Sequence, residues 1–279
     1  MRILLTLIFC CLVSACGTLQ IEEKNFIRPD SLTGVVTKNR LDQAALQAAV
    51  PTASLSELSV PGDAGVTLHG VLMRRPDAVA SVLYFGGNAF HLDESAKDLA
   101  SRLSACPVNI VLFDYRGYGR SGGAPTVANM EQDALALFDH ANSQFPGQVF
   151  VHGHSLGSFV AAYVAQQRPM VKGLVLEATA NNALDWAKAN VPWYASPFIE
   201  VEVAQSLRNI DNTKALAHFT QPSLILAGSL DTVTPLQLGR KVFDAIPGSA
   251  KQILVVEGGR HNDLLSHPEA MAAYCKFVL

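Results

Sequence analysis

Two stretches of the chain fit the pattern G-x-S-x-G: Gly153-His154-Ser155-Leu156-Gly157 and Gly119-Arg120-Ser121-Gly122-Gly123. A serine in that pattern can act as a nucleophile when it sits on a sharp strand-to-helix turn. The turn lifts Oγ clear of the sheet, and the flanking glycines admit close packing. Ser155 has this context, with a strand-like run from Gln148 to His152 before it and an Ala-rich helical pattern from Leu156 to Gln167 after it. The start of that helix offers unpaired N–H groups and a positive dipole end where an oxyanion would form. Ser121 lies among further glycines ahead of Pro125, a composition that reads as a plain turn.

A nucleophilic serine needs a base, and the base needs an orienting acid. Asp231 stands just after the apolar run Ser223 to Ala227, and His261 follows the last strand through Gly258-Gly259, giving the order Ser, Asp, His. His261 would take the Ser155 proton and return it to the leaving group, while Asp231 fixes the tautomer. Glu177, directly after the strand ending at Leu176, is the rival acid. Beside Thr232, Thr234 and Pro235, Asp231 also fits a turn or capping role. His154 is expected to pack or line a pocket, and His267, before Pro268, to face solvent at a helix start. Backbone N–H groups of Leu156 and of Asn88, which follows Gly86-Gly87, are the expected oxyanion donors; the alternative for Gly86-Gly87 is a tight turn. Asp114 and Arg116 are expected to tie their own loop together.

The elements that must hold these residues alternate. Two short runs, Leu55 to Val60 and Val66 to Leu72, flank Pro61-Gly62-Asp63-Ala64-Gly65 as an opening hairpin. Apolar strand-like runs follow at Ala80 to Phe85, Asn109 to Phe113, Gln148 to His152, Gly173 to Leu176, Ser223 to Ala227 and Gln252 to Val256. Helical patterns fill most gaps, at Glu94 to Leu103, Val127 to Ser143, Leu156 to Gln167, Leu236 to Ala245 and Pro268 to Phe277. Uninterrupted apolar strands must be covered on both sides, so the fold class is α/β: a mostly parallel central sheet with helices on both faces. Residues 181–212 break the rhythm with Trp186, Pro192, Trp193, Tyr194, Pro197 and Phe198. They form either a small cap over a pocket or an ordinary crossover, their aromatic rings lining the pocket, facing a membrane or packing locally.

Five blocks, Phe85-Gly86-Gly87-Asn88, Phe113 to Gly122, Gly153 to Gly157, Gly228 to Pro235 and Gly258 to Asp263, together resemble the alpha/beta hydrolase superfamily over residues 55–279. The likeness is nearest to its small-cap branch of lysophospholipase-like and depalmitoylase-like proteins. It implies the alpha/beta hydrolase fold and a Ser155–Asp231–His261 triad. The sequence departs from the commoner family pattern at Gly86, where histidine usually stands.

The N-terminus is a separate matter. Met1-Arg2, the apolar run Ile3 to Val13 and small Ser14-Ala15 read as a secretory signal over residues 1–15, the alternative being a transmembrane anchor, for which the apolar run is short. Val13-Ser14-Ala15-Cys16-Gly17 resembles the bacterial lipobox, which implies diacylglycerol and an N-acyl chain on Cys16. Gly17 after the cysteine implies sorting to the outer membrane, facing the periplasm. Residues 16–54 are expected to be a lipidated tether plus an N-terminal element, with one helix in Arg40 to Val50. Of the cysteines beyond Cys16, Cys106 and Cys275 are expected as two separate buried thiols, although an oxidising compartment would let them pair.

A formal charge of −3, with no Lys/Arg cluster, leaves no basic surface for phosphates, so no nucleic-acid partner is expected. No His/Cys/Glu spacing points to a metal, and neither metal nor organic cofactor is expected. The function expected is hydrolysis of a carboxylic ester or thioester on an acyl-lipid or acylated substrate through an acyl-enzyme. One alternative is an aminopeptidase-type peptidase on the same fold, for which Glu200 and Glu202 could bind an amine. The other is a non-catalytic envelope lipoprotein used for binding or scaffolding.

Overall fold

The computed structural model describes residues 17–37 and 40–279. The expected signal segment 1–15, with Cys10 and Cys11, and the lipidation candidate Cys16 lie outside them. The strands are β1 (Gly17–Ile21), β2 (Ser54–Pro61), β3 (Thr67–Arg74), β4 (Ala80–Phe85), β5 (Val108–Phe113), β6 (Val149–His154), β7 (Gly173–Glu177), β8 (Ile199–Val203), β9 (Ser223–Gly228) and β10 (Lys251–Val256). Eight of them form one sheet in the order β10-β9-β7-β6-β4-β5-β3-β2. β2 and β3 run antiparallel at one edge, and β3 is antiparallel to β5. All other pairings in the sheet are parallel.

Along β4, Leu83 and Phe85 join the core on one face while Val82 and Tyr84 join the core on the other. Apart from buried Ser81 the strand is therefore apolar throughout, as a doubly covered strand requires. The first face carries the helices Val127–Gln144, Leu156–Gln167 and Leu236–Ala245; the second carries Gln43–Ala49, Leu92–Leu103 and Pro268–Val278. On the second face Cys106 and Cys275 form a disulfide, with Cα atoms 5.2 Å apart. The expectation of two separate thiols is thus corrected. The bridge spans 169 residues, a separation at which spacing carries no information about proximity.

The N-terminal segment is more than a tether. β1 pairs in parallel with β8, from Gly17 opposite Ile199 to Ile21 opposite Val203. Phe26 and Ile27 then enter the core. The 181–212 insertion holds the helix Ala183–Ala189 and β8, so the start of the chain and this insertion form one small sheet beside the main one.

Candidate active site

Ser155 occupies the turn between β6 and the helix Leu156–Gln167, with φ 53° and ψ −117°. A residue with a side chain reaches that conformation only at a cost, and nucleophile turns are where such strain is kept. Its closeness explains the flanking glycines: a Cβ on Gly153 would strike the Gly157 carbonyl, and one on Gly157 would strike the Phe85 carbonyl. The Ser155 N–H donates to the Glu177 carbonyl across β7 at 3.0 Å, fixing the turn to the sheet.

The Ser155 hydroxyl lies 2.8 Å from His261 Nε2, and His261 Nδ1 lies 2.9 Å from Asp231 Oδ2. With Nδ1–H donated to the carboxylate, Nε2 is the lone pair facing the serine. Asp231 comes from the loop after β9, and His261 from the loop after β10, so two adjacent parallel strands deliver two of the groups and the turn after β6, one strand beyond them across β7, delivers the third. Asp231 also accepts the Val233 N–H at 2.8 Å, the Thr234 N–H at 2.9 Å and the Thr234 hydroxyl at 2.7 Å. Burial raises the carboxyl pKa, but the hydrogen bonds from His261 and Thr234 outweigh it and hold Asp231 below its usual value. Thr234 Oγ1 is also 3.2 Å from His261 Nδ1, touching both partners of that pair. Its place beside Asp231 in Asp231-Thr-Val-Thr234 was the sequence signal for it.

Glu177 faces elsewhere: its Oε2 lies 3.2 Å from His152 Nε2. His154 points its Nε2 at the His261 carbonyl, 2.9 Å away; since a carbonyl only accepts, this nitrogen carries the hydrogen. Burial lowers the His154 pKa, which keeps the ring neutral in that role. Ser121 is buried, accepting the His69 N–H at 2.9 Å and donating to the Asp114 carbonyl at 2.8 Å. Asp114 accepts the N–H groups of Leu92 and Arg120, and Arg116 makes a two-pronged pair with Asp133. These loop residues brace backbone and lie outside the serine's hydrogen-bond network.

Asn88 and Leu156 both line the cavity containing Ser155 and His261. Neither of their backbone N–H groups has a hydrogen-bond acceptor among the described residues, which leaves both free for a ligand oxygen. The Asn88 side chain is tied to the N-terminal segment and Tyr118: its amide donates to the Phe26 carbonyl at 2.8 Å, and its oxygen accepts from the Arg28 N–H at 3.0 Å and the Tyr118 hydroxyl at 2.9 Å. Asn25, Phe26 and Arg28 thereby become part of the cavity wall, together with Trp186 from the insertion. These N-terminal contributors had no signal in the sequence beyond the apolar pair Phe26-Ile27. Among the described residues no cluster of His, Cys, Asp and Glu is arranged to hold a metal.

An eight-stranded, mostly parallel sheet with a serine turn after its central strand is the alpha/beta hydrolase fold, and the chain belongs to that superfamily. Within it, residues 76–211 match the family model described as serine aminopeptidase, S33. The chain is 31% identical over 186 residues to an uncharacterized protein of Mycobacterium tuberculosis, covering 66% of this chain and 63% of that protein. It is 32% identical over 178 residues to the lysophosphatidylserine lipase ABHD12 of Danio rerio, covering 58% of this chain and 46% of the lipase. The chain therefore spans from about half to under two thirds of the length of these relatives. An esterase of Pyrococcus furiosus superposes with a TM-score of 0.70 at 16% identity, over 91% of this chain and 97% of the esterase, a likeness of fold.

Proposed function

We propose that this chain is a serine hydrolase that cleaves a carboxylic ester or thioester of an acyl-lipid or acylated substrate through an acyl-enzyme. The observation that carries the reading is the continuous link Ser155 Oγ–His261–Asp231 at 2.8 and 2.9 Å. Ser155 Oγ attacks the acyl carbon as His261 Nε2 takes its proton, and the carbonyl electron pair moves onto oxygen. The Leu156 and Asn88 N–H groups receive that oxyanion. Collapse breaks the bond to the leaving oxygen or sulfur, which collects the proton from His261; water then repeats the sequence and releases the acid.

The cavity favours an acyl substrate over the aminopeptidase reading. Capture of a free amino terminus calls for a carboxylate at the site, whereas Arg28 is the charged side chain among the described lining residues. Glu200 and Glu202 are exposed on β8 and do not line it. The test is turnover of acyl esters, acyl thioesters and aminoacyl arylamides side by side. Ester or thioester turnover that vanishes in Ser155→Ala is the expected result; arylamide turnover alone would transfer the reading to a peptidase.

The same proposal places the protein in a bacterial envelope, lipid-anchored through Cys16 at the outer membrane and facing the periplasm. The Cys106–Cys275 disulfide supports an oxidising compartment. Incorporation of an alkynyl fatty acid that is lost in Cys16→Ser would agree; equal incorporation in both would not.

A further inference from the structure

The insertion carries an exposed apolar knuckle, in which Trp193 and Tyr194 meet edge to face with ring centroids 6.0 Å apart. From Val191 to Ile199 the chain has no charged residue. Trp193 is 85%, Tyr194 66% and Phe198 59% exposed, and every exposed large aromatic residue among the described ones falls in this stretch. Pro192 and Pro197 are exposed beside them. The backbone closes on itself, with Ala195 and Ser196 N–H groups donating to the Pro192 carbonyl and Phe198 N–H to the Ala195 carbonyl. These bonds hold the knuckle in a compact turn on which the rings stand exposed.

What lies next to it names its occupant. Phe198 directly precedes Ile199, and Ile199 is the β-sheet partner of Gly17. Gly17 follows Cys16 directly, and the apolar run Ile3 to Val13 ends four residues before Gly17, a reach of about 14 Å. Whether the chain is held by acylated Cys16 or by the retained apolar run, the membrane-seeking part joins the described chain at Gly17, the partner of Ile199. Exposed Trp and Tyr rings are the side chains that settle at the headgroup level of a bilayer. One further contact links the knuckle to the chemistry: Asn190 donates from its side chain to the Trp186 carbonyl at 2.8 Å and the Val233 carbonyl at 3.0 Å. Trp186 and Val233 both line the cavity that holds Ser155.

We propose that Trp193, Tyr194 and Phe198 dock the insertion into the interface of the bilayer that anchors the N-terminus, presenting the catalytic cavity to lipid in that leaflet. This rests on the reading of the N-terminus as membrane-attached and goes beyond it by fixing an orientation. The occupant is a neutral phospholipid surface, since acidic Glu200 and Glu202 follow the knuckle on β8.

The chain has two tryptophans, Trp186 and Trp193, so fluorescence can isolate each. The full-length protein is placed in phosphatidylcholine–phosphatidylethanolamine vesicles with and without brominated acyl chains. In Trp186→Phe, emission from Trp193 should fall about twofold with brominated lipid and resist aqueous acrylamide, as an interfacial ring does. Trp193 that ignores brominated lipid overturns the proposal. In that case shielding from acrylamide would point to a protein contact, and free quenching to a solvent-facing loop. A second arm uses the triple variant Trp193→Ala, Tyr194→Ala, Phe198→Ala, which should lose about tenfold in turnover of vesicle-embedded ester while soluble p-nitrophenyl acetate is hydrolysed as before. Equal loss on both substrates contradicts it. Absence of any turnover in the wild type would defeat the hydrolase reading and leave the fluorescence result standing on its own.

Discussion

Asn88 holds the Phe26 carbonyl through its side-chain amide at 2.8 Å, 62 residues apart in sequence, while Asn88 itself lines the cavity beside Ser155. The residue proposed as an oxyanion donor is thereby braced by the N-terminal segment of the described chain. Asn88→Ala keeps the backbone donor but strands the Phe26 carbonyl, while the Arg28 N–H retains the Tyr118 hydroxyl. Loss of such a part-buried partner costs about 1–3 kcal/mol, so kcat/KM should fall about 10- to 100-fold with Ser155 still reactive. Unchanged kinetics would show that the brace does not position the donor.

Asp231 and Glu177 are separated by their partners. Asp231→Asn should lower kcat by about 10⁴, because His261 loses the acceptor that fixes its tautomer. Glu177→Gln removes a charge facing His152 and should leave kcat within about tenfold, with the cost falling on stability instead. Steady-state kinetics on one chromogenic ester decide between them, and the reverse ranking would make Glu177 the acid.

The depressed pKa of Asp231 has a consequence for stability. Its folded value lies below the unfolded model value of 3.8, so the contribution is present above about pH 4 and is lost as pH falls through the folded value. The stability difference between wild type and Asp231→Asn should therefore shrink between pH 5 and pH 2, and urea midpoints across that range measure it. A difference independent of pH would mean that the carboxyl is not ionised in the fold.

The Cys106–Cys275 bridge closes a loop of 169 residues on the face away from the helix Leu156–Gln167. In the chain-entropy account such a loop contributes up to about 5 kcal/mol. Cys275→Ser should lower the denaturant midpoint accordingly while the remaining folded protein keeps its catalytic constants. A midpoint equal to wild type in non-reducing buffer would contradict this.

Much of the arrangement was legible because local chemistry and global position coincide. Ser155 needed glycine on both sides and a strand before it, and the sequence carries all three. β4 and β9 are apolar at nearly every position, which only burial on both faces explains. What escaped notice depends on distance in the chain. Nothing about Gly17 to Ile21 announces β8, although Ile199-Glu-Val-Glu-Val203 alternates as a half-buried strand should. Phe26 and Arg28 reach the cavity only because Asn88 receives them, and a side-chain clamp across 62 residues leaves no periodic trace. The cysteine pair was missed for the same reason.

The central claim is that Ser155, alone of the two G-x-S-x-G serines, is an activated nucleophile. A fluorophosphonate probe reports this directly on the folded full-length protein, with Ser155→Ala and Ser121→Ala checked for native circular dichroism. Labelling of the wild type and Ser121→Ala, lost in Ser155→Ala, is the predicted result. A well-folded wild type that takes no label, or a Ser155→Ala that takes as much as wild type, would contradict the account.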